Sequence, residues 1–134
     1  MQSSQLQFPK LHREAHRLSN MVLCAIDEDV RVYEVTRIIS NILQSVGIYS
    51  RVVDGIMAGV PHSWIWIDEP TPASLLDVRA VGRMPGVQLI ECGAAHAYIP
   101  GPFRGDIDQD FVEGTAMRVA RQLAPIGAVA ATCA

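Results

Sequence analysis

Leu11, Ala15, Leu18, Val22 and Ala25 recur at helical spacing, with Lys10, His12, Arg13, Glu14 and Arg17 between them. The pattern predicts a helix over residues 9–24 with one buried face. Pro9 suits its first turn, where a backbone N–H is not needed. Asp27-Glu28-Asp29 then interrupts the pattern and puts acids where the positive end of a second helix dipole would lie. Val32, Val35, Ile38, Ile39, Ile42, Leu43 and Val46 form one apolar stripe. They predict a core-facing helix over residues 30–46, closed by Gly47 as C-terminal cap.

After Gly47 the period changes to that of extended chain. Strands are predicted over residues 48–53, 63–68, 75–80 and 87–92, with a short fifth over 96–99. Asp54-Gly55 reads as a turn between the first two. Glu69-Pro70-Thr71-Pro72 reads as a loop, because each proline removes a backbone donor. Residues 106–123 predict a last helix, with acids early and Arg118 and Arg121 late, and Gly114 weakening its middle. Two helices, four or five strands and a final helix imply an α+β domain, an antiparallel sheet packed on helices. Residues 1–134 read as one domain, with 1–8 expected to fray and 124–134 as an apolar tail.

Composition narrows the function classes. Hydrophobic residues make up 49% of the 134 and charged residues 19%, enough for a folded core. A formal net charge of −3 supplies no electrostatic reason for nucleic-acid binding. The three cysteines, Cys24, Cys92 and Cys133, contain no CxxC pair, which argues against a disulfide framework and a cysteine zinc site. The N-terminus lacks a basic start and apolar core, and no apolar run approaches the ~20 residues that span a bilayer. The expectation is a cytoplasmic protein, not bound to membrane, with no cofactor.

His62-Ser63-Trp64 is the most informative motif, with Asp77 fifteen residues after the histidine. A histidine on one strand and an aspartate on the next make a base and its orienter. Together with Val46-Gly47-Ile48 and Arg51-Val52-Val53, this ordered set resembles the core of transglutaminase-like cysteine proteins over roughly residues 30–80. The resemblance implies a papain-like fold, with His62 and Asp77 beside a helix start that bears the nucleophilic cysteine. That position, about fifteen residues before Gly47, is Val32 here. Valine has neither a lone pair to attack a carbonyl nor a proton for His62 to take.

Three functions are compatible with these residues. The first is a degenerate domain whose inherited cleft, with Val32, Glu34, Trp64 and Trp66 as binding residues, holds a peptide or protein partner. The second is an amide hydrolase or acyltransferase with Cys24 as nucleophile, His62 as base and Asp77 as orienter. The third is a small protein that self-associates through its apolar tail and tryptophan pair. A metal set of His62, Asp77 and Glu34 lacks supporting local spacing. His12 and His16 share a helix face and read as solvated. Arg83-Met84-Pro85 and Pro102-Phe103-Arg104-Gly105-Asp106 are candidate binding loops.

Overall fold

The structure is a computed structural model that describes residues 8–26, 29–78, 86–102 and 105–124. Helix α1 (Lys10–Cys24) starts one residue later than predicted, with Pro9 as its N-cap, the Pro9 carbonyl accepting from the His12 and Arg13 amides at 3.0 and 3.1 Å. Helix α2 (Val32–Ser45) starts two residues later than predicted, because extended Arg31 takes the N-cap position. The acid in its first turn is therefore Glu34, not the upstream cluster. Its end follows a Schellman pattern: Gly47, at φ +88°, donates to Gln44, and Ile48 donates back to Leu43.

Strands β1 (Arg51–Met57), β2 (Val60–Ile67), β3 (Ser74–Val78), β4 (Val87–Glu91) and β5 (Tyr98–Pro100) form one antiparallel sheet in the order β4-β3-β2-β1-β5. Helix α3 (Gln109–Leu123) follows, its N-terminus capped by the Asp108 carboxylate, which accepts from the Phe111 amide at 3.0 Å. The architecture is α+β, three helices on a five-stranded antiparallel sheet. Among the described residues no helix is long and apolar enough to cross a membrane.

The predicted turn at Asp54-Gly55 is instead the middle of β1. The chain turns at Ala58-Gly59, both at positive φ (53° and 79°), which suits a tight two-residue hairpin. Asp54-Gly55 stays extended for tertiary reasons. Asp54 is held by Arg37 of α2, and Gly55 lets β5 approach. A Cβ on Gly55 would lie 2.0 Å from the Ile99 carbonyl oxygen.

The sheet divides two apolar clusters, as the two-residue period of a strand requires. Ile65, Ile67, Leu76, Val78 and Val87 pack with the helices, joined by the stripe of α2. Trp64, Leu75 and Ala95 pack on the other face, with Val53, Trp66, Ile90 and Tyr98 against them. All five residues of β3 are buried as a result.

Two expectations about the first helix are corrected. His12 is fully buried, not solvated: its Nδ1 meets Ser74 Oγ at 2.6 Å and its Nε2 meets the Glu69 carbonyl at 3.1 Å. His16 bonds the Val87 carbonyl, and Asn20 accepts from the Val87 amide at 2.8 Å. Side chains of α1 thus cover the start of the β4 edge. Phe8, expected to fray, is also buried.

Candidate functional site

The alternation of β2 decides what faces what. Ser63, Ile65 and Ile67 turn toward the helices, so His62, Trp64 and Trp66 take the opposite face. Ile65 pairs with Leu76 across the ladder, which puts Asp77 on the same face as His62. The His62 Nε2 to Asp77 Oδ1 distance is 2.6 Å. Asp77 is fully buried, and the Tyr98 hydroxyl of β5 donates to its other oxygen. A buried carboxylate is costly without donors. Here an imidazole N–H and a phenol O–H supply them from two different strands. Trp64 braces the group, its ring edge-on to Tyr98 at 5.2 Å and 6.3 Å from the imidazole.

A second polar network lies on the helix side. Arg37 grips Asp54 with two contacts, at 3.0 and 2.7 Å, and the Ser63 hydroxyl donates to the same carboxylate at 2.6 Å. The two side chains of this ion pair are each only 18% exposed, so the pairing replaces much of their lost hydration.

Between these networks is a cavity of about 420 Å3. Its wall combines Val32 and Tyr33 at the start of α2, Asp54 to Ile56 of β1, Pro61 to Ser63 of β2, and Gly101, Pro102 and Gly105 beyond β5. Arg31, which bonds the Tyr33 hydroxyl, also stands 5.9 Å over its ring. The lining is mostly apolar, with His62, Asp54 and Tyr33 as titratable groups among the described residues. A cavity of this kind can seat apolar groups and fix their orientation by a few hydrogen bonds.

The structure therefore brings Val32 and His62 to one cavity and bonds His62 to Asp77. It does not bring Cys24 or Glu34 there. Cys24 is an exposed thiol at the far end of α1, and half-buried Glu34 is not among the lining residues. Trp64 and Trp66 line a separate cavity of about 340 Å3, with Arg51, Cys92, His96 and Tyr98. Trp64 is also a core residue, at 1% exposure, so the pair is not an open apolar surface. Of the candidate loops, Pro102 and Gly105 line the first cavity; Arg83-Met84-Pro85, Phe103 and Arg104 lie outside the described residues, as do Cys133 and the tail beyond Ala124. Among the described residues no three His, Cys, Asp or Glu side chains are grouped to hold a metal ion.

Two elements of the site were missed by sequence reasoning. Tyr98 sits in a three-residue strand whose partner across the ladder is Met57, a long-range pairing with no local signal. Asp54 carried a signal that pointed elsewhere, since Asp-Gly is a turn dipeptide. No protein-family model, curated protein or solved structure matches the chain.

Proposed function

We propose that this chain is a relative of the transglutaminase-like cysteine proteins without their thiol, and that its cleft binds an apolar peptide or protein segment as a binding or regulatory module. The observation that supports this reading is the meeting of Val32, at a helix start, with His62 on the wall of one cavity. In the superfamily pattern these are the positions of nucleophile and base. A helix N-terminus favours a thiolate through its dipole and N–H groups, whereas an isopropyl group gains nothing from them. What remains useful is the apolar, concave wall and the orientated imidazole.

Returning a thiol to that position tests the kinship. In Val32→Cys, iodoacetamide should label the new cysteine roughly tenfold or more faster than Cys24 and Cys92 of the same molecule. Adding His62→Ala should remove that advantage. A labelling rate like that of Cys24 and Cys92, indifferent to His62, would withdraw the kinship. Binding is tested by titrating a capped apolar tetrapeptide while following methyl resonances of Val32 and Ile56. Those signals should move, and Val32→Trp, which fills the cavity, should abolish binding.

A further inference from the structure

We infer that His62 offers its Nδ1 as a hydrogen-bond acceptor to the cavity, and that the group it takes there is a backbone N–H of an extended peptide. The inference rests on the cleft-binding reading and adds the chemistry of recognition. It starts from the buried carboxylate. Asp77 engages Nε2 of His62 on one oxygen and the Tyr98 hydroxyl on the other. A carboxylate accepts only, so Nε2 carries the ring proton and Tyr98 donates. Neutral imidazole has one proton, so Nδ1 then holds a lone pair.

The His62 side chain is 15% exposed while Asp77 is buried completely, so the imidazole and not the carboxylate is what a ligand can reach. His62 lines the cavity beside Val32, Tyr33, Ile56 and Pro61. A ligand that fits must be apolar along most of its surface yet carry one donor. A free carboxylate fails, since it brings no donor to the Nδ1 lone pair. A peptide flanked by small apolar side chains meets both demands. Tyr98 is then a positioning residue: it holds Asp77 from β5, and Asp77 holds the imidazole tautomer from β3.

Two amides of similar size separate the alternatives, N-methylacetamide with one N–H and N,N-dimethylacetamide with none. Long-range proton–nitrogen NMR of the full chain at neutral pH should show the His62 proton on Nε2 and a bare Nδ1. N-methylacetamide should move the Nδ1 resonance, and the dimethyl analogue should bind roughly tenfold more weakly, the worth of one hydrogen bond. Tyr98→Phe should mix the two tautomers and erode that preference. A proton found on Nδ1, or equal binding of the two amides, overturns the inference and leaves cleft binding standing. Failure of both amides to perturb any cavity resonance overturns it together with the cleft-binding reading. An unchanged tautomer and preference in Tyr98→Phe removes the role of Tyr98.

Discussion

At the residue scale, several polar side chains inside this molecule are held by partners distant in sequence. His12 is the clearest case. Burial pushes its pKa down, opposed in part by the bond to the Glu69 carbonyl. The neutral ring donates from Nε2 to that carbonyl and accepts from Ser74 at Nδ1. As pH falls through about 6.5, the unfolded chain takes a proton that folded His12 resists, so stability drops. Above that pH the ring is neutral in both states and the contribution is complete. Urea denaturation of wild type and His12→Gln should show a stability gap that is widest near pH 7.5 and narrows toward pH 5. Gly55 is constrained by backbone instead. An added Cβ meets the Ile99 carbonyl at 2.0 Å and Pro100 Cα at 2.8 Å, and neither can rotate away. Gly55→Ala should cost about 3 kcal/mol, an overpacking penalty read from the urea midpoint.

At the scale of elements, local signals and tertiary demands can be told apart by where they agree. The stripe of α2 and its Gly47 cap were legible because both arise from contacts within a few residues. The β1–β2 hairpin was legible as two strands but not in its register. Asp54-Gly55 carries the stronger turn dipeptide, yet the chain turns at Ala58-Gly59. Placing the turn at Asp54 would take its carboxylate out of the strand and leave Arg37 without this partner. The cost of the actual choice sits at Ala58, an L-residue with a Cβ at φ 53°. Asparagine tolerates that conformation better. Ala58→Asn should therefore raise stability by about 0.5–1 kcal/mol in thermal or urea unfolding, with the hairpin unchanged.

At the scale of the whole molecule, the sheet is a partition. Its helix side holds the main core and the Arg37–Asp54–Ser63 network, and its other side holds the Trp64 cluster with His62, Asp77 and Tyr98. The first cavity lies where the start of α2, the paired ends of β1 and β2 and the chain beyond β5 come together. An imidazole on one face of the sheet and residues of the helix layer thereby reach a common space. The edges of the sheet are handled by the same long-range packing. Asn20 accepts from the Val87 amide while His16 bonds its carbonyl, so α1 occupies the start of β4. Asn20→Leu should leave that edge amide without this acceptor and cost about 1–2 kcal/mol, seen as a lower urea midpoint.

The sequence by itself determined the helical stripes, the change to a two-residue period, the α+β class and the pairing of His62 with Asp77 in spacing. These follow from periodicity and from alternation along neighbouring strands, which short stretches of chain encode. Only the tertiary structure decided that Val32 joins His62 at a cavity while Cys24 stays outside it. It alone recruited Tyr98 from β5, buried His12 and kept Asp54 within a strand. Each of those outcomes depends on which distant backbone arrives alongside, and that is a property of packing no local pattern records.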